Sequence, residues 1–369
     1  MIFRKNRVQR SVPRKIGNGI IGFFITIFLI LTIIFGFSQT STFRNMLRDE
    51  ILTLSRNSLN GELNIGKVEG TLLTHLVLKK ISFANDTDTI LTANRIELAL
   101  NPFYILAKRI KITKFEITDA QFNLLENKDG TWNIENIAKE DTTTFLAKTN
   151  TEIIEETSQK NFPFLIDISD FGLKNITFLV KKYQYRDTKN SYDIMNYDDI
   201  HITDFNLSIN LLADINENDF QIDISSLSFK PNLNRFNLHN LSGQVRISEN
   251  FAEVKNITLL TDSSMISFSA KLDSINLFSP ISLNDFKHYP IKFNLDAQPF
   301  GASDLSSFIA PVDFLHGPIS FNIEGAGEFR NFDFAPEIKV DRTNIILDGN
   351  LSKLETPEYL YVKAKFTDS

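Results

Sequence analysis

The sequence of 369 residues contains no cysteine. That excludes a disulfide framework, a thiolate metal site and a cysteine nucleophile. Histidine is scarce. No two of His75, His201, His239, His288 and His316 lie within ten residues of each other, so no local metal pair of the HExxH kind exists. Basic charge is not in surplus: 39 Lys and Arg stand against 45 Asp and Glu, which argues against nucleic acid as a partner. Catalytic pairings are missing too. Glu155-Glu156 and Asp198-Asp199 are adjacent, and neighbours on a strand point to opposite faces, so neither is an acid–base dyad. Ser263-Ser264 and Ser306-Ser307 lack the strand–turn–helix setting of a nucleophile elbow. Neither catalysis nor a cofactor is expected of this chain.

Charge is absent altogether between Lys15 and Arg44. Six basic residues and no acid precede that gap: Arg4, Lys5, Arg7, Arg10, Arg14 and Lys15. The apolar heart of the gap, residues 20–37, is 18 residues long. As a helix it rises about 27 Å, close to the thickness of a bilayer's hydrocarbon. Residues 17–38 are therefore expected to be a transmembrane anchor, with Ile20, Phe24, Phe28, Leu31, Phe35 and Phe37 as its anchoring residues. The basic tail, residues 1–16, stays cytoplasmic, and the bulk of the chain is placed across the membrane. A cleaved signal peptide is the alternative, with Gly36 and Ser38 as small residues before a cut, but the apolar run exceeds an ordinary signal core. The exported part holds 33 basic and 45 acidic residues, so it has little attraction for anionic headgroups in general.

Helical patterning is confined to one stretch, residues 41 to about 59. Phe43, Met46, Leu47, Ile51 and Leu54 fall on one helix face, Ser41 or Thr42 is placed to cap it, and Asn60-Gly61 stops it. Its expected role is to cap the open end of the sheet that follows; the alternative is a helix lying on the bilayer.

From residue 61 onward the period becomes 2. Phe205, Leu207, Ile209 and Leu211 alternate with polar residues, as do Phe220, Ile222 and Ile224. The same holds for Ile266, Phe268, Ala270 and Leu272, for Ile291, Phe293 and Leu295, and for Ile319, Phe321 and Ile323. This is the signature of antiparallel strands with one apolar and one wet face. The 33 phenylalanines suit such a sheet. Asn127-Lys128-Asp129-Gly130 reads as a hairpin turn, with Trp132 packed beside it. Residues 138–161 read as a mobile loop, and Pro280, Pro290, Pro299, Pro311 and Pro318 divide the last third into short strands.

An apolar sheet face must be covered, and helices are not available to cover it. About 16 strands side by side would extend roughly 75 Å, and open sheets of that size curl, split or close. Two solutions stay open on the pattern alone: a sandwich, or a curled sheet whose greasy trough shelters acyl chains. Two sixteen-carbon tails in water cost on the order of 20 kcal/mol or more, so a lipid crossing an aqueous compartment needs such shelter.

The order of features resembles a known family. After the anchor and helix come Gly66-Lys67-Val68-Glu69-Gly70, then residues 76–81, 90–100 and 110–112, then Phe122-Asn123-Leu124-Leu125 and Asp129-Gly130-Thr131-Trp132-Asn133-Ile134. Later stretches are Asp304-Leu305, Gly325-Ala326-Gly327-Glu328-Phe329 and residues 345–351. Over most of residues 17–369 the chain is similar to the N-terminal region of AsmA-like proteins. Among these it looks most like the TamB-like members, named for the inner-membrane subunit of the translocation and assembly module. Gly325, Gly327 and Gly349 read as turn or bulge glycines, not a phosphate cradle, because no strand-to-helix step follows them.

The resemblance implies an all-β fold, an elongated curled antiparallel sheet forming a half-pipe. It implies an inner-membrane protein of a Gram-negative bacterium, single-pass, with its bulk in the periplasm. Phospholipid is the implied cargo, carried towards the outer membrane, with the inner membrane as the site of attachment. The groove would be lined by the apolar members of the alternating strands named above. The family alternative is assistance to outer-membrane protein assembly and secretion by strand pairing, with an outer-membrane barrel partner. The region that meets that partner is missing here, and the chain is expected to be the N-terminal part of a longer protein or an unusually short member. A plain sandwich on a membrane stalk is a third reading.

Overall fold

The computed structural model describes residues 36–71, 75–86, 88–139, 165–279, 288–309, 319–328, 331–340, 343–352 and 359–368. Helix α1 (Ser41–Ser58) opens it, capped by Thr40, whose Oγ1 accepts a hydrogen bond from the Phe43 amide at 3.2 Å. The cap is one residue earlier than the sequence suggests. Fifteen strands follow: β1 (Glu62–Thr71), β2 (His75–Ala84), β3 (Thr89–Asn101), β4 (Arg109–Leu125), β5 (Leu165–Lys181), β6 (Asp199–Asp214), β7 (Asp219–Pro231), β8 (Leu238–Ile247), β9 (Phe251–Thr261), β10 (Met265–Asp273), β11 (Ile291–Phe300), β12 (Ile319–Glu328), β13 (Asn331–Val340), β14 (Thr343–Ser352) and β15 (Tyr359–Asp368). A short helix α2 (Ala302–Ser306) follows β11.

The strands form one sheet in sequence order, curled but not closed, with β1 and β15 at its edges. Each strand packs against its ladder neighbours, and among the described residues no second sheet lies over it. One expectation needs correction: the sheet is not wholly antiparallel, because β4 and β5 pair in parallel. Residues 126–164 connect them, long enough for a crossover that returns the chain to the start of β4. There the Leu165 amide bonds the Lys108 carbonyl at 3.0 Å. The loop read at 138–161 lies outside the described residues from residue 140 onward.

Five of the first nine strands are kinked by a non-glycine residue in the left-handed region. Lys80, Asp119, Asn175, Asp204 and Asn256 take positive φ within β2, β4, β5, β6 and β9. Asp and Asn tolerate this left-handed region better than most residues. Their side chains brace one another across strands: Asn175 Nδ2 donates to Asp119 Oδ1 at 2.7 Å, and the Asn175 amide donates to Asn206 Oδ1 at 2.9 Å. Across β2–β5 the left-handed residues lie in one row with no register shift there, whereas at Asn175, Asp204 and Asn256 the pairing with β6, β7 and β8 slips, a bulge that bends the strand and curls the sheet. Ile81, Ala93, Ala120 and Ile176, beside this row, form the most deeply buried apolar cluster, 0 to 5 % exposed. The kinks of β4 and β5 stay in step because the two strands pair at a constant offset along their length.

Three polar locks hold the rims. Asn133, 1 % exposed, donates from Nδ2 to the Asn123 carbonyl and accepts the Leu125 amide at Oδ1. It fastens the expected turn, in which the Gly130 amide bonds the Asn127 carbonyl at 3.0 Å. Sequence reasoning singled out Trp132 here; the neighbouring asparagine is the buried residue. Lys181 and Asp199 form a buried ion pair at 3.1 Å, joined by the Tyr192 hydroxyl at 2.7 Å. Asp304 of α2 accepts from Thr261 at 2.5 Å and also from the Ser264 hydroxyl, tying α2 to the β9–β10 turn.

Candidate functional site

The sheet has one continuous apolar face. A single transverse rung runs Leu100, Ile112, Ile168, Leu211, Ile222, Val245, Val254, Ala270, Phe293, Gly325, Phe334, Gly349 and Val362, crossing β3 to β15 without one polar residue. At about 4.8 Å per strand this rung is on the order of 58 Å long. The next rung, on the other face, reads Lys111, Asp167, Leu212, Gln221, Arg246, Glu253, Lys271, Lys292, Ala326, Asp333 and Asn350. The contrast between adjacent rungs is the amphipathic period of a strand repeated across the sheet.

All sixteen large apolar strand residues named from the sequence fall on the apolar face. Ile209 pairs with Ile224, Leu211 with Ile222, and Leu207 with Leu227. Phe220 pairs with Ile247, and Phe205 faces Ile176. Phe268 pairs with Leu295, Leu272 with Ile291, and Ile266 with Ala297. Ile323 pairs with Leu295, Phe321 with Ala297, and Ile319 with Phe300. Ile319 is buried; the other fifteen are half-buried, as expected of a wall without a facing layer.

Cover is local. At β1, Leu47, Ile51 and Leu52 of α1 pack on Ile65, Val68 and Leu76. Along one rim, Leu233, Phe236 and Leu238 fold in with Tyr192 and Met195 over Leu227, Phe229, Leu241 and Leu259. On the opposite rim Phe278 meets Phe220 at 5.3 Å between ring centroids.

Sequence reasoning missed the aromatic half of the face. Phe115 stacks on Phe171 at 5.4 Å, Phe122 on Phe178 at 5.3 Å, and Phe178 meets Phe205 edge-on at 5.2 Å. Gly325 and Gly349 also need correction. They are not turn residues but mid-strand positions opposite Phe334, and Phe293 and Phe332 stack at 5.7 Å over Gly325. A Cβ at Gly325 would meet Phe332 Cζ at 2.4 Å and Phe293 Cε1 at 2.7 Å. Gly325→Val is expected to unstack the two rings and cost about 1–2 kcal/mol, read as a lowered urea midpoint.

The AsmA family model matches residues 14–276, more than half of the chain. The chain belongs to the AsmA family. No curated protein and no solved structure matches it. The AsmA family suggests a membrane-associated protein of the bacterial envelope, concerned with outer-membrane biogenesis or lipid transport. The match ends just past β10, yet the apolar rung continues through β15. Of the anchor residues, Ile20, Phe24, Phe28, Leu31 and Phe35 lie outside the described residues, and Phe37 is exposed. Among the described residues no helix is long and apolar enough to cross a membrane.

The wet face of this AsmA-family sheet carries a charge ladder over β1–β5. Lys67 and Lys79 each hold Glu69 at 2.7 Å. Glu97 is held by His75 and Arg95, and Glu116 by Lys174 at 2.7 Å. Hydrogen bonds from both lysines pull the Glu69 carboxyl down to about 2. Burial is the largest single influence at Glu97 and Glu116 and opposes ionisation, but Arg95, Lys114 and His75 at the first and Lys174 and Lys114 at the second together outweigh it, so both lie below the ordinary glutamate range. Depressed carboxyls contribute stability that is full above the unfolded value, about 4.3, and is lost as pH falls through the folded one. Thermal stability is therefore expected to hold from pH 7 to about 5 and to fall progressively below about pH 4. A flat profile to pH 2 would contradict the ladder. Of the remaining histidines, His239 pairs with Asp262 at 2.6 Å and His201 is half-buried, its pKa lowered chiefly by burial. Among the described residues no three ligating side chains converge on a metal position.

Proposed function

We propose that this chain carries the acyl chains of phospholipid on its apolar face. It would be anchored in the inner membrane by residues 17–38, its bulk in the periplasm, conducting lipid towards the outer membrane. The observation that carries this reading is the unbroken apolar rung over thirteen strands, with no second layer facing it among the described residues. Burial of each CH₂ is worth roughly 0.8 kcal/mol, so tails laid along such a wall recover most of what water would take from them. Headgroups stay outside, so no polar pocket is needed, and the chain acts as a carrier, not a catalyst.

The TamB-like role in barrel-protein assembly would use a sheet edge for strand addition. Edge strand β1 carries Glu62, Lys67 and Glu69, charges of the kind that discourage edge pairing. This favours the face over that edge. Native mass spectrometry of the full chain extracted from membranes is expected to find it loaded with phospholipid. A chain recovered with empty groove and no affinity for added phospholipid would refute the carrier reading.

A further inference from the structure

The link between β3 and β4 is a short 3₁₀ turn, Pro102–Ala107, with the sequence Pro-Phe-Tyr-Ile-Leu-Ala. Phe103 is 79 % exposed and Leu106 is 90 % exposed, with Tyr104 and Ile105 exposed between them. Single exposed apolar residues are ordinary, but four large ones in succession form a patch. The turn is also built to shape. Asn101 Oδ1 accepts the Phe103 amide at 3.2 Å, and Lys108 closes the turn in the left-handed conformation, its amide bonding the Ile105 carbonyl at 3.0 Å.

Its place in the fold is informative. Gly70, Leu76 and Leu98 pair side by side, so β1 ends and β2 begins on the rim where β3 passes into the turn. Helix α1 reaches that same rim. Its C-terminal end is fixed at the opposite rim, where the Asn60 amide bonds the Ile137 carbonyl, and its side chains Leu47 and Ile51 run back over Val68 and Leu76. The N-terminal end of α1, from Thr40 to Arg44, therefore lies on the side of the turn. Two basic side chains outside any carboxylate ion pair among the described residues lie on that side: Lys108 closes the turn, and Arg44 is on the first turn of α1, whereas Arg109 and Arg48 pair with Asp167 and Asp49.

We infer that Pro102–Ala107 is a membrane-docking turn. Phe103, Ile105 and Leu106 enter the interfacial layer of the bilayer that holds the anchor, and Tyr104 sits at headgroup level. Lys108 faces anionic phosphates, while Arg109 is held by Asp167 at 3.3 Å. Two attachments on one rim set the strands upright on the membrane. The proposal rests on the anchored reading and is independent of acyl-chain carriage.

The absence of cysteine makes the test direct. Full-length L106C and K128C are each labelled with an environment-sensitive fluorophore and placed in nanodiscs of phosphatidylethanolamine and phosphatidylglycerol with brominated tails. Lys128 is exposed and lies past the far end of β4, a strand of 17 residues, roughly 55 Å from the turn. The expected result is blue-shifted emission, mostly quenched, at L106C and unquenched emission at K128C. Equal, unquenched emission at both positions overturns the docking turn. Quenching at both overturns the upright orientation that it sets. A chain that fails to co-float with lipid overturns the anchored reading and the proposal together. A nanodisc-bound chain with an unquenched L106C overturns the proposal alone.

Discussion

Ile209→Asp and Phe293→Asp are expected to strip phospholipid from the chain while leaving the fold in place. Both positions are half-buried on the apolar face, in rungs that continue to neighbouring strands on either side. A carboxylate among acyl chains is a desolvated, unpaired charge and costs several kcal/mol. Because about 1.4 kcal/mol is a factor of ten, bound lipid should fall by at least roughly a hundredfold. Stability responds differently. Water reaches the unloaded wall, so the carboxylate stays solvated and only part of one side chain's burial is lost, about 1 kcal/mol at Ile209 and about 2–3 kcal/mol at Phe293, which also gives up its stack on Phe332. In a closed sandwich core the same change would cost far more, because the charge could not reach water. Phospholipid per chain by mass spectrometry, read beside the urea midpoint, separates the two. Normal lipid loading, or a stability loss above about 4 kcal/mol, would count against the open wall.

Lys181→Met is expected to have the largest effect on stability. The Lys181 and Asp199 side chains are 5 % and 0 % exposed, 3.1 Å apart. Burial disfavours the Asp199 carboxylate, yet hydrogen bonds from Tyr192 and Lys181 hold its pKa below the ordinary aspartate value. Removing Lys181 leaves a buried charge without its counterion, at a cost of about 3–5 kcal/mol. Residues 182–198, which fold over the rim beside Leu233 and Phe236, should then become sensitive to protease. K181M/D199N removes both charges and should recover much of the loss. If the double variant is no more stable than K181M, the pair is not the lock described above.

The all-β class, the single helix before the sheet and the alternating segments of β6, β7 and β10–β12 were legible in the sequence because those segments keep a strict period of 2. The segments β1–β5 were harder to read. The left-handed residues Asp119 and Asn175 shift the apolar phase within one strand, so that Phe115 and Ile117 fall out of step with Ala120 and Phe122. A period-2 template scores such a strand as broken. The usable signal was a polar pair between two apolar phases, Thr118-Asp119 and Lys174-Asn175, recurring at the same offset in two segments. The parallel pairing of β4 and β5 had no local signature, since it depends on a long connection rather than on either strand. Gly325 was misread for a related reason: its backbone is ordinary, and its lack of a side chain serves the rings of Phe293 and Phe332 from other strands. That the sixteen strand residues share one face follows from register, which no single segment reveals.

Paired photocrosslinking tests the acyl-carrying face most directly. A photoreactive residue is placed at Ile209, Phe268 or Phe293 in the full chain in membranes, and at the neighbouring wet-face positions Asn210, Ser267 and Asn294. Phospholipid adducts detected by mass spectrometry are expected at the first three positions and not at the second three. Equal labelling on both faces, or lipid-free crosslinks from the first three to another protein segment packed over them, would contradict the account.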